Sequence, residues 1–137
     1  MKQEMEEELV SNILPFWINR MTDEVNGGFY GRITGREEVK PEAGKGAILN
    51  ARILWTFSAA YRLLKRPEYL ETATRAKRTL IDRFYDNEFG GVYWSLDYKG
   101  NPLDTKEAVF MSLGFAIYGL SEYARATGDD EALAYAI

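Results

Sequence analysis

Residues 45–62, KGAILNARILWTFSAAYR, carry apolar side chains at nearly every angular position and no proline. An amphipathic surface helix shows one apolar stripe, whereas a helix greasy all round packs among other elements, so this stretch predicts a central helix. Upstream, Met5, Leu9, Val10, Ile13, Leu14 and Trp17 recur at spacings of three and four among acidic residues, which predicts an amphipathic helix over 4–21. Pro15 falls inside that pattern, and its missing N–H predicts a kink or a break there. Downstream, Pro67 suits a first helical position. Tyr69, Leu70, Ala73, Ala76, Leu80, Ile81 and Phe84 then form one stripe opposite Glu71, Arg75, Lys77, Arg78 and Asp82, the pattern of an outer helix.

Between the helices lie stretches rich in glycine and aromatic residues. Phe29–Ile33 reads as a short strand, and Gly90–Leu96 with a turn at Lys99–Pro102 reads as a short hairpin. A further helix is expected from Asp104, capped with the help of Glu107, to about Arg125. Thr127-Gly128 stops it. A last helix starts at Asp129 and runs to Ile137 with no stop signal, as though the polypeptide continued into something longer.

The pattern repeats. Asp23–Tyr30 corresponds to Asp86–Tyr93 at an offset of 63, and Tyr61 to Tyr123 at 62. The chain thus reads as a single domain, 1–137, of two units, about 4–66 and 67–127, each an outer helix, a Gly-aromatic loop and an inner helix. Paired-helix repeats cannot bury their faces alone, so they stack into solenoids or close into toroids.

Composition narrows the function classes. At 137 residues, 46% hydrophobic and 28% charged, the chain is a globular segment able to bury a modest core. A net charge of −4 with interspersed signs offers no basic stripe for nucleic acid or an anionic membrane. Cysteine is absent, which excludes a disulfide framework and a thiolate metal site. No metal-ligand constellation is visible, the double glycines lack the context of a phosphate loop, and no cofactor is expected. The acidic N-terminus lacks an apolar signal region, so the cytoplasm is the expected compartment. Histidine is also absent, and with it the usual acid/base group near neutral pH.

Arg52 is the residue that calls for an explanation. It lies on the central helix with Ile48, Trp55 and Ala59 on its side, and a buried guanidinium there needs a carboxylate, a water-filled cavity or a ligand. Either a core ion pair or a site role would satisfy it. Trp55, Tyr30 and Trp94 are candidates for a sugar-stacking platform, with core packing as the plainer alternative. Asp86, Asp97, Asp104 and Glu122 could supply a glycosidase carboxylate pair, although loop solvation and capping explain them better.

The run at Lys45–Arg62, preceded by Gly27-Gly28-Phe29-Tyr30-Gly31-Arg32-Ile33 and followed by Phe115–Tyr123, resembles the N-acylglucosamine 2-epimerase family. Within it, the likeness is to the N-terminal third of the cellobiose 2-epimerase branch. The resemblance implies an all-α fold, a partial (α/α)6 toroid of about two helical hairpins plus the start of a fifth helix. It implies C2 epimerisation of a reducing-end sugar through an ene-diolate, with histidines outside this chain moving the proton. Arg52 matches the family arginine that faces substrate, making it a candidate oxyanion or sugar contact. Phe110 stands where the family usually has a tyrosine, which keeps the ring and removes the hydroxyl. No residue here matches the base. A carbohydrate ligand, and either the remaining barrel repeats or self-association, are the expected partners. The alternatives are a self-assembling, trimeric helical-toroid scaffold or a designed fragment, and a non-catalytic carbohydrate-binding module.

Overall fold

The computed structural model describes residues 1–103 and 109–137. Its first helical rod comprises α1 (Lys2–Glu8) and α2 (Leu14–Arg20), joined by a π turn over Leu9–Ile13. Pro15 cannot donate a backbone hydrogen bond, and its ring crowds the preceding turn. The chain widens just before it, the Leu14 N–H reaching back five residues to the Leu9 carbonyl, so the rod continues through a π turn where a kink or a break was expected.

Helix α3 (Ala47–Leu64) follows a long loop. Lys65, in the left-handed conformation at φ 55°, ends it, and Pro67 opens α4 (Pro67–Thr79) two residues later. A second π turn, Leu80–Phe84, closes α4, with the Tyr85 N–H donating to the Leu80 carbonyl. Helix α5 (Val109–Thr127) stops at Gly128, φ 76°, and Asp129 caps α6 (Asp130–Ala136) by accepting from the Ala132 N–H at 2.7 Å. The capping box expected of Asp104 and Glu107 lies outside the described residues.

Helix α3 is the hub: α4 and α5 pack along it, and α6 packs on α5. Leu54, Phe57, Tyr69, Ala73, Leu80 and Phe84 are among the side chains buried between these helices. Where α3 meets α5 the backbones nearly touch. A Cβ on Gly119 would stand 2.8 Å from the Ala51 carbonyl oxygen and 3.2 Å from the Leu54 side chain.

The two Gly-aromatic loops are built alike, hydrogen bond by hydrogen bond. Asp23 and Asp86 each accept two loop N–H groups on Oδ1, from Val25 and Asn26 and from Glu88 and Phe89. Gly27 and Gly90 donate back to their carbonyls, and Tyr30 and Tyr93 donate to Met21 and Phe84. The expected strand at Phe29–Ile33 is not a strand. Phe29 bridges to Thr22 and Ile33 to Val39, because each residue finds its partner across a different tight turn. The one sheet among the described residues is non-local: β1 (Lys45–Gly46) pairs antiparallel with β2 (Ser95–Leu96), tying the loop before α3 to the second Gly-aromatic loop.

That junction holds a buried ion pair. Asp23 is fully buried, and its Oδ2 lies 2.7 Å from the Lys45 ammonium, which also donates to the Gly27 carbonyl. Burial alone would raise the Asp23 carboxyl, but the N–H groups of Asn26 and Val25 and the Lys45 ammonium hold it below its ordinary 3.8. A second buried cation, Lys77, is pushed down by burial but raised overall by Asp129 and Glu131, at 2.8 and 2.7 Å. It ties α4 to the start of α6.

Two expectations follow for stability. Gly119→Ala gains about 1 kcal/mol of helix propensity yet destabilises overall, because the carbonyl it meets belongs to a packed backbone. Gly114→Ala on the same helix meets nothing within 4 Å and stabilises by about 0.5–1 kcal/mol; urea midpoints moving in opposite directions check the pair. Asp23→Asn leaves Lys45 buried without its counter-charge and costs about 3–5 kcal/mol. Because the folded pKa of Asp23 lies below 3.8, its stabilisation is present above that pH and is lost as pH falls through the folded value. Acid titration of the wild type and Asp23→Asn, followed by circular dichroism, should show curves that converge only in that range.

Candidate active-site cleft

Helix α3 is not buried on every side. Arg52 is exposed, and among the described residues it makes no ion pair and no hydrogen bond. The core ion pair weighed from sequence is therefore absent among those residues. The guanidinium borders two open hollows. One, of about 370 Å³, lies between α3 and α5, where Arg52 faces Phe110, Met111, Gly114, Phe115 and Tyr118. The other, of about 280 Å³, lies between α2 and α3, where Arg52 joins Ile13, Trp17, Leu49, Thr56 and Phe57.

The surroundings are apolar and aromatic, which makes the donor fork of Arg52 the dominant polar feature of both hollows. Guanidinium is permanently charged and offers five N–H donors in a plane, a shape that suits paired hydroxyls or a developing oxyanion. Phe110 is 89% exposed, so it is not a core phenylalanine; its ring forms part of the wall facing Arg52. Trp55, one helical turn beyond Arg52, is half-buried and lines neither hollow. Its indole stacks on Tyr118 with centroids 5.1 Å apart and planes 8° from parallel, and Phe115 meets Tyr118 edge-on at 6.2 Å. Trp55 thus backs the wall while Tyr118 forms it.

Tyr30 and Trp94 lie elsewhere. The Trp94 carbonyl accepts from the Ala47 N–H at the first turn of α3, and Tyr30 is held by its N–H to Met21; neither side chain lines the hollows at Arg52. The structure therefore brings together Arg52 and Phe110, with Trp55 behind them, and leaves Tyr30 and Trp94 apart. Tyr118, Met111 and Thr56 were missed. Phe110, Gly114 and Tyr118 recur every four residues, a one-sided stripe that marks a shared face of α5.

The carboxylates considered for a glycosidase pair are engaged structurally. Asp86 and Asp97 organise turns, Glu122 accepts from Arg62 at 2.7 Å, and Asp104 lies outside the described residues. Among the described residues no group of three or more potential ligand side chains could hold a metal ion, and no helix is long and apolar enough to cross a membrane.

Antiparallel helical hairpins whose inner helices frame a basic and aromatic cleft define the (α/α)6 barrel class, and solved structures similar to this chain have that fold. The model of the N-acylglucosamine 2-epimerase (GlcNAc 2-epimerase) family matches residues 28–136, and the chain belongs to that family. A cellobiose 2-epimerase from Bacteroides fragilis is 70% identical over the whole chain, which covers 35% of that relative. One from Ruminococcus albus is 46% identical over 99% of the chain and 34% of its own length. The structure of cellobiose 2-epimerase from Bacillus thermoamylovorans superposes with a TM-score of 0.93 at 45% identity, covering 98% of this chain and 34% of that one. The chain spans about a third of the length of the curated relatives it matches.

An exposed arginine with no ion pair or hydrogen bond among the described residues contributes little to stability. Arg52→Gln should change the unfolding free energy by no more than the roughly 0.5 kcal/mol typical of surface substitutions. A loss of several kcal/mol in calorimetry would mean that the guanidinium is a structural group.

Proposed function

We propose that this chain is the N-terminal portion of a sugar 2-epimerase and supplies one wall of its carbohydrate cleft. The substrate is a reducing-end sugar of the cellobiose type, and the isolated chain is inactive. The observation that carries this reading is the Arg52 guanidinium, without an ion pair or hydrogen bond among the described residues, between two open hollows on the inner-helix face.

Epimerisation at C2 removes the C2 proton next to the open-chain carbonyl, so negative charge develops on the carbonyl oxygen as the ene-diolate forms. The proton then returns to the opposite face of C2. Arg52 donates to that oxygen, or to the hydroxyl beside it, and is already charged before the reaction begins. One donor of this kind is typically worth about a hundred- to a thousandfold in rate. Phe110 and the Tyr118–Trp55 stack supply apolar faces for a sugar ring, and Phe110 gives contact without a hydroxyl hydrogen bond. With no histidine in the chain, the proton-transfer base comes from the rest of the enzyme, as the family likeness implies. The exposed stripe of Phe110, Met111, Ile117 and Tyr118 on α5 supports the same reading, since an apolar face of that kind ordinarily has a partner.

The test is a chimera in which this chain replaces the corresponding segment of the Bacteroides fragilis enzyme, 70% identical to it. The chimera should epimerise cellobiose, the isolated chain should not, and Arg52→Ala in the chimera should lower kcat/KM by about a hundredfold or more. Robust epimerisation by the isolated chain, or an Arg52→Ala chimera with full activity, sinks the reading.

A further inference from the structure

A third cavity, of about 220 Å³, shares no residue with the two hollows at Arg52 and is independent of the carbohydrate reading. It lies between one side of α4 and the loops that flank it. Arg75, Arg78, Asp82 and Arg83 project from α4 and its terminal π turn, and Lys45 enters from β1. The opposite rim is Asn26, Gly27 and Gly28 of the first Gly-aromatic loop, together with Gly100 of the Asp97 turn. In a chain of net charge −4, four cations and one carboxylate thus converge on one small space.

Their internal pairing is incomplete. Lys45 is taken by Asp23 at 2.7 Å, and Arg75 by both oxygens of Glu24 at 2.9 Å. Arg78 comes only within 3.4 Å of Glu131, an acid that also serves Lys77 at 2.7 Å. Arg83 makes no ion pair or hydrogen bond among the described residues, and its guanidinium rests beside Gly100, where a Cβ would stand 3.6 to 3.8 Å from its atoms. Two guanidinium forks therefore remain under-neutralised at the edge of a cavity floored by two engaged cations. A carboxylate fills one fork. A tetrahedral dianion with three free oxygens engages two, and it is the better match to this spacing of charge.

We propose that this cavity binds a phosphate group, either as the free ion or as the monoester of a small metabolite, with Arg78 and Arg83 as its principal donors. The cavity, of about 220 Å³, has room for a phosphate group or a small phosphate ester.

Titrating the purified 137-residue chain with inorganic phosphate and, separately, with glycerol 3-phosphate tests it by amide chemical shifts. Saturable shifts are expected at Asn26, Gly27, Gly28 and Gly100. Tighter binding of the ester assigns the site to a phosphorylated metabolite, and equal or tighter binding of the inorganic ion assigns it to free phosphate. Both outcomes uphold a phosphate site. Arg78→Gln combined with Arg83→Gln should weaken binding by about tenfold or more, whereas Arg66→Gln, an exposed arginine outside the cavity, should not. All three positions are exposed, so the variants keep the wild-type circular dichroism spectrum. Shifts that fail to saturate with either probe, or the same affinity in the double variant as in the wild type, overturn the proposal.

Discussion

The contact between α3 and α5 governs the rest of this structure. The Ala51 carbonyl comes so close to α5 that only a residue without a side chain fits opposite, and Gly119 is that residue. Interiors pack as tightly as organic crystals, so a contact this close leaves little freedom in how the two helices lie. Its consequence is felt one face away. With the helices drawn together at Gly119, Arg52 on α3 and Phe110, Gly114 and Tyr118 on α5 are presented to the same hollow, and Trp55 is near enough to stack on Tyr118.

The height of α3 is set separately, at its start. The Asp23–Lys45 pair anchors the first Gly-aromatic loop to the two-residue strand that leads directly into the helix, and β2 holds that strand from the other side. A buried ion pair rarely adds much net stability, since desolvation offsets most of the attraction. What it adds here is register: any slip of the loop would strand a charge in the core. The repeat of the same carboxylate-centred turn at Asp86 shows one local solution used twice to connect an outer helix to an inner one.

Much of this was legible in the residues. The stripe from Tyr69 to Phe84, Pro67 at the start of α4, and Gly128 after α5 marked helices by periodicity and punctuation, and the 63-residue offset announced the matching loops. Both π turns escaped, because a five-residue hydrogen bond leaves no distinct side-chain pattern. The strand expected at Phe29–Ile33 failed because β-propensity says nothing about where a partner lies, and the partner of β1 is some fifty residues away at β2. Arg52 stood out in the sequence as a residue needing an explanation, but an all-round apolar helix suggested burial. Its face is open because no element among the described residues covers it. Tyr118 was overlooked for the opposite reason: its stripe belonged to a helix read as core, and its pairing with Trp55 spans more than sixty positions in sequence. Tyr30 and Trp94 were grouped with Arg52 on residue type alone, a criterion that carries no distance.

Arg52, free of ion pairs and hydrogen bonds among the described residues, is proposed to be kept so in order to meet a sugar. A crystal structure of the Bacteroides fragilis chimera with bound cellobiose addresses it directly. Guanidinium nitrogens within hydrogen-bonding distance of the oxygens at C1 or C2 of the reducing-end sugar, with Phe110 and Tyr118 against the ring, are the expected result. Arg52 locked onto a carboxylate of the adjoining segment, with the sugar bound elsewhere, would contradict it.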